Sequence, residues 1–492
     1  MSARCIMVLG TSSGAGKSWL VTALCRHYAR QGLRVAPFKA QNMSNNARVV
    51  ACAQGLGEIG SAQYFQALAA RVQPEVRMNP LLLKPEADTR SQVVLMGQVQ
   101  HALSAMPWHA RGPHVWPQIA QALDALRANH DVVVIEGAGS PAEINLMHSD
   151  IVNLRVARHA QARCLLVTDI DRGGAFAHLY GTWALLPAED RARIVGFVLN
   201  KFRGDASLLA PAPEQLQALT GVPTLATLPM WREHGLPEED GVFDAQPSGP
   251  RAAQATRTVA VLAWPRISNL DEFAPLRHVP GIRLLWVREP AQLRSLSPQD
   301  WLILPGSKHT SSDLAWLRQQ GLDAAVTAHV QRGGAVLGIC GGLQMLGEAL
   351  VDAHGIDGNA PGLGLLPLVT QFEPAKSVRH TQASFGPVHG PWSALAGLSV
   401  QGYEIHHGQT QPHPAMRAAG VALHEVMPGL AWQDGSGQVL GTYLHGLFEN
   451  PAVMQALFGQ QVPSLEHVFE GLADFIERHF APAALAGLLG TD

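Results

Sequence analysis

A cysteine between glycines is the residue of this chain best suited to covalent chemistry. Cys340 lies in Gly338-Ile-Cys-Gly-Gly342, after the short apolar run 335–337 and before residues 343–346, whose apolar positions have helical spacing. A strand, a glycine-lined turn and a helix make a nucleophile elbow, here with a thiol, and the N-terminus of the following helix favours the thiolate. The segment predicts acyl transfer through a thioester. The alternative is a buried cysteine in a glycine-rich turn.

His445 is the residue that we expect to act as the base for Cys340. It follows the apolar run 441–444, roughly a hundred residues after the cysteine, and a catalytic base is commonly this distant in sequence. Class I glutamine amidotransferases, which this pattern resembles, usually carry an acid two residues after the histidine, where this chain has Leu447. We therefore predict a Cys340–His445 pair that works as a dyad or is oriented by a group from elsewhere.

Two backbone amides are predicted to stabilise the negative charge that develops on the attacked carbonyl oxygen. One is the N–H of Gly341, directly after the nucleophile. The other comes from the segment 304–308, where Gly306 lies. Such donors make an oxyanion hole for acyl transfer.

A glycine-rich loop near the N-terminus predicts a phosphate site. Gly10-Thr-Ser-Ser-Gly-Ala-Gly-Lys-Ser18 follows an apolar strand and opens a helical pattern. In that context backbone N–H groups hold phosphates, the lysine reaches the outer ones and the serine hydroxyl binds Mg²⁺. The spacing departs from Gly-x-x-x-x-Gly-Lys-Ser, because threonine stands where the first glycine belongs. The predicted ATP-binding residues of this loop are Thr11, Gly14, Gly16, Lys17 and Ser18.

Carboxylates at strand ends are candidates for a metal or substrate site beside this loop. Glu136 ends the apolar run 132–135, and open α/β sheets bind ligands at the carboxyl ends of their strands. Glu58 is a second candidate, with a solvated helix carboxylate as the alternative. Asp169 and Asp171 also leave a strand end and predict contact with a metal or an anionic substrate, or else a capped turn.

Further polar residues follow other predicted strands. Lys39, Gln41 and Asn42 lie in a polar loop after an apolar run and could hold a substrate carboxylate or phosphate. Asn200 and Lys201 come directly after another strand and could recognise a nucleotide base. All five are predicted binding residues of the N-terminal half.

The composition is that of a soluble globular protein and excludes several other classes. The chain has 492 residues, 47% hydrophobic and 15% charged, with a net charge of −3. The absence of a long basic run argues against a nucleic-acid partner, and no apolar stretch reaches the ~18 residues of a membrane span. Five cysteines without a Cys-x-x-Cys spacing argue against disulfides and zinc. We expect a cytoplasmic protein, monomeric or oligomeric.

Lysine is rare in this chain, and its few positions are informative. Of 36 basic residues only six are lysines. Since arginine serves wherever a general surface cation is needed, lysine should persist where a compact ammonium group on a flexible stem is required. We expect Lys376 to be an exception on the surface. The lysines are Lys17, Lys39, Lys84, Lys201, Lys308 and Lys376.

The order of apolar runs predicts two α/β units. Runs at 6–9, 131–135, 164–167 and 194–199 are typical of buried parallel strands, with helices at 18–30 and 117–129. A second series of strands is expected at 258–263, 282–287, 301–304, 335–337, 362–370 and 438–445. The predicted boundaries are a first domain 1–232, a linker 233–256 rich in proline and acidic residues, a second domain 257–450 and a helical tail 451–492.

These segments together resemble the cobyric acid synthase family, which comprises glutamine-dependent amidases of cobalamin biosynthesis. The family also lacks the acid after its histidine. Its N-terminal half is similar to dethiobiotin synthetases, which implies Ser18, Glu58 and Glu136 as Mg²⁺ ligands. The implied fold is a P-loop NTPase-like parallel sheet followed by a class I, flavodoxin-like amidotransferase domain. The resemblance covers nearly the whole chain and rests on residues 10–18, 39–45, 136–146, 169–174, 200–204 and 402–408.

The resemblance implies a two-site reaction. ATP would phosphorylate a corrinoid carboxylate, and the cysteine site would release ammonia from glutamine to displace the phosphate. The family repeats this at the b, d, e and g carboxylates of adenosylcobyrinic acid a,c-diamide. Separate sites make chemical sense, because an acyl phosphate must be kept from water. The implied partners are the corrinoid, glutamine and ATP, and the implied metal is Mg²⁺.

Residues 402–408 carry two adjacent histidines that do not predict a metal site. If this segment is a strand, His406 and His407 point to opposite faces. Glu404 would share a face with His406, and the family motif implies that this face adjoins the glutamine site. A cross-strand structural role remains the alternative.

Three other functions are consistent with parts of this pattern. A cobyrinic acid a,c-diamide synthase would use the same chemistry on different carboxylates. A P-loop regulatory or partitioning ATPase could carry an inactive amidotransferase scaffold, although the intact Cys340 and His445 argue against it. A ligase could also act on a carboxylate outside the corrinoids, as in the complex that amidates lipid II.

Overall fold

The computed structural model describes residues 2–237, 255–460 and 463–490, and residues 238–254 of the predicted linker 233–256 lie outside them. The first half forms an α/β unit around six parallel strands, in the order β12-β11-β10-β1-β9-β2. Two smaller sheets, β3-β6-β7-β8 and β4-β5, pack beside it. The strands of this half are β1 (Arg4–Gly10), β2 (Val35–Phe38), β3 (Gln41–Met43), β4 (Ala47–Cys52), β5 (Gly55–Gly60), β6 (Leu81–Ala87), β7 (Arg90–Leu95), β8 (Gln98–Val99), β9 (Val132–Glu136), β10 (Arg163–Asp169), β11 (Ile194–Phe202) and β12 (Thr224–Pro229).

Helices cover both faces of the central sheet, because its strands are apolar on both sides. Helix α4 begins before Pro117 and contains it, so the predicted start at 117 was wrong by about one turn. The short 3₁₀ helices are Val76–Met78, Trp108–Ala110, Met147–Ser149 and Ala206–Leu209. The α-helices are α1 (Lys17–Arg30), α2 (Ser61–Ala69), α3 (His101–Ala105), α4 (Gly112–Asn129), α5 (Leu154–Ala160), α6 (Ala175–Leu185), α7 (Ala188–Arg191) and α8 (Ala212–Thr220).

The second half is another α/β unit, with strand order β15-β13-β16-β18-β25-β24-β23. The first five of these strands are parallel, and β24 and β23 are antiparallel. A separate sheet, β20-β19-β21-β22, extends toward the first unit, and β14 pairs with β17. The strands are β13 (Arg257–Leu262), β14 (Ile267–Ser268), β15 (Ile282–Val287), β16 (Trp301–Leu304), β17 (Gly306–Ser307), β18 (Ala335–Ile339), β19 (Ala349–Val351), β20 (Ala360–Pro361), β21 (Leu368–Ser384), β22 (Ser399–Pro412), β23 (Leu423–Met427), β24 (Ala431–Asp434) and β25 (Val439–Thr442).

Two strands of this half differ from the predicted runs. The expected strand 362–370 exists only from Leu368, because the glycines and proline before it form turns. The expected strand 438–445 ends at Thr442, so His445 lies just beyond a strand. The 3₁₀ helices are Leu270–His278, Gly390–Leu395 and Leu447–Glu449, and the α-helices are α9 (Pro290–Arg294), α10 (Thr310–Gln319), α11 (Leu322–Gln331), α12 (Gly341–Leu346), α13 (Pro414–Ala418), α14 (Pro451–Phe458), α15 (Leu465–His479) and α16 (Ala484–Gly487).

The C-terminal helices divide between the two units. Helix α14 buries Val453 and Met454 in the core of the second unit. Helix α15 packs instead on α1 of the first unit, where Arg26, fully buried, binds Glu466 at 2.7 Å and Glu470 at 3.2 Å. The predicted helical tail 451–492 is therefore divided between the two units, because α14 belongs to the second unit and the last helices complete the core of the first.

Replacing Leu472 with alanine is expected to destabilise the N-terminal unit. Leu472 is fully buried among α1 and the central sheet, and a Leu→Ala change in such a core costs about 2–5 kcal/mol. The matched control is Leu219→Ala on α8, where the side chain is 67% exposed and the cost should stay within about 0.5 kcal/mol. Urea unfolding followed by tryptophan fluorescence measures both, because Trp19 and Trp231 pack on Phe475 of α15. Equal stability of the two variants would contradict the packing.

Lysines from both units meet where the two units touch. Lys376 on β21 forms an ion pair with Glu58 on β5, and Lys84 binds the same carboxylate at 2.7 Å. Lys308 reaches Glu86 at 2.8 Å. The expectation that Lys376 is a surface residue was wrong, because burial between the units lowers its pKa to about 7 against the opposing pull of Glu58. These contacts join the two units over a polar interface.

Within the described residues, no helix combines the length and the apolar character needed to cross a membrane.

Candidate functional site

The turn at Cys340 has the strained backbone of a nucleophile elbow. Cys340 lies between β18 and α12 at φ 52° and ψ −105°, and a positive φ in a residue with a side chain is held only by surrounding structure. A Cβ added at Gly341 would lie 2.7 Å from the Ser307 nitrogen. One added at Gly342 would collide with the carbonyl oxygen of Leu304. The glycines therefore permit the close approach of two loops at the nucleophile.

The thiol is enclosed rather than exposed. Cys340 is 5% exposed, and its Sγ lies 3.7 Å from the carbonyl oxygen of Ile405 on β22. Helix α12 is only six residues long, so its dipole is a limited source of thiolate stabilisation. A charged group beside Cys340 must therefore supply the rest of the thiolate stabilisation.

His445 and Glu272 provide that charged group. Imidazole Nδ1 of His445 lies 3.0 Å from Glu272 Oε1, and the Gly446 N–H donates to Glu272 Oε2 at 3.0 Å. Both side chains are almost completely buried. The acid that the segment after His445 lacks is thus supplied 173 residues earlier in the chain, from the 3₁₀ helix Leu270–His278. No spacing rule in the sequence indicated Glu272, because its proximity to the histidine arises only from folding.

The charges around His445 keep its imidazole protonated. Burial lowers the pKa of His445, but Glu272 and the Cys340 thiolate outweigh it and raise the pKa to about 10. An imidazolium beside a cysteine stabilises the thiolate, the nucleophilic form. The arrangement is that of a Cys–His–Glu triad.

Replacing Glu272 with glutamine is expected to reduce thiol-dependent glutamine hydrolysis by roughly 10²–10⁴-fold. A glutamine can still accept from Gly446, but its amide would donate to Nδ1 and leave the imidazole proton on the wrong nitrogen. Without the carboxylate, the pKa of His445 falls from about 10. The imidazolium is then lost at lower pH, so the alkaline limb of the kcat profile should move to lower pH. An unchanged kcat and pH profile would contradict a role for Glu272.

The predicted oxyanion donors lie on either side of the nucleophile. Gly341 is the first residue of α12, so its N–H has no acceptor within the helix. A Cβ added at Gly306 would lie 3.0 Å from His445 Cε1, which places the β17 loop beside the imidazole. The geometry is compatible with the predicted oxyanion hole.

Strand β22 borders the same site. Its register confirms that residues 402–408 are extended, with Glu404 and His406 on one face, 3.1 Å apart. The His406 ring stacks on Tyr443 at 3.9 Å between centroids, and the Tyr443 hydroxyl accepts from Gln344 Nε2 at 3.3 Å. His407 points away and bonds the carbonyl oxygen of Glu373. The histidines therefore do not form a metal pair, and the Glu404 face adjoins the elbow helix.

The glycine-rich loop leads from β1 into α1 as a phosphate cradle should. Gly14 and Gly16 have φ of 72° and 95°, which favours glycine. Lys17 Nζ donates to the carbonyl oxygens of Ser12 at 2.9 Å and Gly139 at 3.3 Å. Thr11 does not lie where an ATP-binding residue was expected. Its hydroxyl bonds the Thr168 hydroxyl, and the residue does not line the cavity that is lined by the other predicted residues of the loop.

Glu136 is the centre of a polar cluster beside that loop. Its Oε1 accepts from Ser18 Oγ at 2.9 Å and from Lys39 Nζ at 2.7 Å, and Gln66 Nε2 lies 2.5 Å from Oε2. Burial raises the pKa of Glu136, but Lys39 and these hydrogen bonds hold it below its usual value. Gln63 also reaches Oε2 at 3.4 Å. Sequence reasoning missed both glutamines, which carry no motif of their own.

Glu58 is not brought to this cluster. Its carboxylate is occupied by Lys84 and Lys376 at the interface, and the residue does not line the cavity. It lies on β5 rather than on a helix. The prediction of Glu58 as a metal ligand beside Ser18 and Glu136 therefore disagrees with this structure, because two ammonium groups already neutralise it.

The other predicted binding residues surround the loop. Asn200 Nδ2 donates to the Ala15 carbonyl oxygen at 2.9 Å. Lys201 Nζ donates to Gly14 O at 2.8 Å and lies 3.1 Å from Asp169 Oδ2. These side chains brace the phosphate loop from the strand-end side. Asp171 forms an ion pair with Arg203.

One cavity of about 1140 Å³ joins these residues. Gln41 and Asn42 also line it, on the short strand β3 rather than in the expected loop. Five arginines line it as well, of which only Arg172 lies in a predicted motif, and they would attract a substrate with several carboxylates. The predicted residues on its wall are Gly14, Gly16, Lys17, Ser18, Lys39, Gln41, Asn42, Glu136, Asp169, Asp171, Asn200 and Lys201, and the arginines are Arg111, Arg155, Arg172, Arg232 and Arg277.

Ser18 and Glu136 have the chemistry to hold Mg²⁺ with a nucleotide. A hydroxyl and a carboxylate oxygen already approach each other at 2.9 Å, and Mg²⁺ prefers such ligands together with substrate phosphates. Across residues 2–237, 255–460 and 463–490, no group of three His, Cys, Asp or Glu side chains is placed to hold a metal. Ser18 and Glu136 therefore fit a metal ion that is also coordinated by the phosphate oxygens of a nucleotide.

The chain matches two family models that divide it as the fold does. Residues 6–239 match the CobQ/CobB/MinD/ParA nucleotide binding domain. Residues 258–453 match the CobB/CobQ-like glutamine amidotransferase domain. The predicted fold class, a nucleotide-binding parallel sheet followed by an amidotransferase domain, is confirmed.

Curated relatives match over the full length. The cobyric acid synthases of Variovorax paradoxus, Albidiferax ferrireducens and Acidovorax ebreus are 73%, 71% and 70% identical to this chain. Each alignment covers 99% of this chain, and 100%, 100% and 99% of the respective relatives. The resemblance found from motifs is confirmed, and the chain belongs to the cobyric acid synthase family.

Proposed function

We propose that this chain is a glutamine- and ATP-dependent ligase that converts the b, d, e and g carboxylates of adenosylcobyrinic acid a,c-diamide to amides. One observation carries the proposal: a single chain holds a buried Cys340–His445–Glu272 site and, in its other unit, a cavity lined by a phosphate loop and arginines. The first can release ammonia from glutamine, and the second can activate a carboxylate. Full-length relatives that are named cobyric acid synthase support the choice of substrate.

Glutamine hydrolysis follows from the triad. The Cys340 thiolate attacks the amide carbon, and the N–H groups of Gly306 and Gly341 would donate to the oxygen that becomes negative. The His445 imidazolium then donates its proton to the departing nitrogen, so that ammonia leaves and a thioester remains. His445, now neutral, takes a proton from the water that cleaves the thioester. Glu272 keeps the ring oriented through both steps.

Carboxylate activation follows from the cavity. A substrate carboxylate oxygen attacks the γ-phosphorus of ATP, ADP leaves, and ammonia then displaces phosphate from the acyl phosphate. Lys17 is placed to neutralise the outer phosphates. Mg²⁺ bound through Ser18 and Glu136 would offset charge on the phosphate oxygens. Lys39, whose Nζ lies 2.7 Å from Glu136 Oε1, would contact the incoming carboxylate.

The arginines of the cavity suit a substrate that presents several carboxylates in turn. Arg111, Arg155, Arg172 and Arg232 line the cavity, and a guanidinium binds a carboxylate through two parallel hydrogen bonds. A carboxylate already converted to an amide would lose this charge attraction. That difference favours release and rebinding in another orientation.

Mass spectrometry of the corrinoid tests the proposal. Adenosylcobyrinic acid a,c-diamide is incubated with the enzyme, ATP, Mg²⁺ and glutamine. We expect four successive products, each differing by the exchange of one hydroxyl for one amino group. Unchanged corrinoid under conditions where ATP is hydrolysed would overturn the assignment of substrate.

A further inference from the structure

The glutaminase triad is built against a segment of the nucleotide-binding unit. The Ala47 N–H donates to Asn269 Oδ1 at 3.0 Å, and the Leu270 N–H donates to Asn46 Oδ1 at 2.9 Å. Asn269 has a φ of 54°, and both asparagines are buried. This reciprocal pair fixes the start of the 3₁₀ helix that carries Glu272.

Arg48, the next residue of that segment, reaches further into the site. It is 2% exposed and forms ion pairs with Asp271 and, at 2.6 Å, with Glu449. Asp271 precedes Glu272 in the chain. The Glu449 N–H bonds the carbonyl oxygen of Gly446, whose own N–H is held by Glu272. One guanidinium thus binds both chain segments that meet at the histidine–glutamate pair.

Arg48 also contacts the aromatic ring that stacks on the His445 imidazole. Its guanidinium carbon lies 5.0 Å from the centre of the Tyr403 ring, and that ring stacks on His445 at 5.3 Å and 18°. The backbones of Tyr403 and His445 exchange hydrogen bonds in both directions. The Tyr403 ring therefore lies between Arg48 and the face of the His445 imidazole, so that a shift of Arg48 would displace the imidazole.

The polar cluster around Arg48 contains buried groups that lower the stability of the fold. Arg48 Nε, Asp271 Oδ1 and the Tyr403 hydroxyl are buried without a hydrogen-bond partner in the described part of the chain. Unsatisfied buried polar atoms destabilise a fold, and apolar residues of similar volume are often as stable as a buried ion pair. Stability alone therefore does not explain a buried charge at this position.

On its own unit, Arg48 is anchored by α2. The guanidinium lies 5.0 Å from the Phe65 ring and 5.6 Å from the Tyr64 ring. The neighbouring residue Gln66 of the same helix binds Glu136 in the nucleotide cluster. One helix therefore contacts both Arg48 and the cluster at the phosphate loop.

We propose that Arg48 is a positioning residue of the glutaminase triad, supplied by the nucleotide-binding unit, which acts by orienting Glu272 and His445. The proposal rests on the proposed glutaminase function of Cys340. It implies that the triad is complete only when the two units are docked as in the full chain.

Arg48→Met and Arg48→Lys in the full-length chain test this. The measurement is kcat and KM for glutamate release, with kcat expressed per Cys340 titrated by a glutamine-like electrophile, so that misfolded protein is not counted. Arg48→Met should lower kcat by up to ~10²-fold, as expected for a small misplacement of catalytic groups, and change KM by less than about twofold. Arg48→Lys should recover part of the loss, because lysine keeps the charge but not the two-sided geometry.

Two further variants separate positioning from general docking. Lys376→Met removes another buried ion pair between the units, leaves Glu58 paired with Lys84, and should leave kcat within about twofold. The double variant Arg48→Met with Glu272→Gln should have the kcat of Glu272→Gln alone, because both act through one group. Multiplying effects in the double variant, or an equal loss in Lys376→Met, would overturn the proposal.

The outcome is separable from failure of the proposed function. Amidation of the corrinoid with added ammonia does not use the triad, so Arg48→Met should retain it. If the wild-type chain released glutamate but amidated no corrinoid, the substrate assignment would fail and the Arg48 result would stand. If the wild-type chain released no glutamate, the glutaminase function itself would fail, and the proposal for Arg48 with it.

Discussion

Replacing Cys340 with alanine is expected to abolish amidation with glutamine and to leave amidation with ammonia intact. Loss of the nucleophile of a triad lowers turnover by ~10⁴-fold or more. The elbow, His445 and Glu272 lie in the second unit, whereas the phosphate loop and most residues of its cavity belong to the first. Added ammonia should therefore support amidation by the variant, even though the variant cannot release ammonia from glutamine.

The measurement compares glutamate release with amide formation on the corrinoid, with glutamine or an ammonium salt as the nitrogen source. Cys164→Ala is the matched control, since Cys164 is another buried free cysteine, located in β10 of the first unit. It should retain both activities. Release of glutamate by Cys340→Ala at the wild-type rate would remove Cys340 as the nucleophile.

Replacing Lys17 with methionine should produce the opposite pattern. Amidation should fall with either nitrogen source, by about 10²–10³-fold, the usual cost of one group that stabilises charge in the transition state. The Lys17 ammonium group lies against the carbonyl oxygens of Ser12 and Gly139 at the head of the phosphate loop, where methionine fills similar space without charge. Basal glutamate release should stay within about twofold, because Cys340, His445 and Glu272 lie in the other unit.

The two variants form a crossed test of the two-site reaction. Cys340→Ala should lose only the glutamine-dependent reaction, and Lys17→Met should lose the reaction with both nitrogen sources. The ATP consumed and the corrinoid amide formed are measured on the same samples. If Lys17→Met amidated the corrinoid normally with ammonia, the loop would not be the site that activates the carboxylate.

Local patterns were enough to predict much of the fold. Buried parallel strands appear as short apolar runs, because both faces of such a strand are covered, and β1, β9, β10 and β18 were found in this way. The strands between β2 and α3 were missed. They are short or belong to edge sheets, and their sequences mix polar and apolar residues.

Motif residues that lie next to one another in sequence were placed together correctly. The glycines around Cys340 and those around Lys17 shape their turns through local sterics, which act over a few residues. The roles of these residues in binding and catalysis remain predictions. The structure adds the contacts on which the proposed roles depend.

The sequence by itself determined the two α/β units, the cysteine elbow, the phosphate loop and the family. These depend on apolar periodicity, turn sterics and motif spacing, all of which are local. Only the tertiary structure decided that Glu272 binds His445, that Lys84 and Lys376 form ion pairs with Glu58, and that α15 packs on α1. Each of these joins residues far apart in the chain or lying in different units, and a charged side chain shows no preference for a distant partner until folding removes both from water.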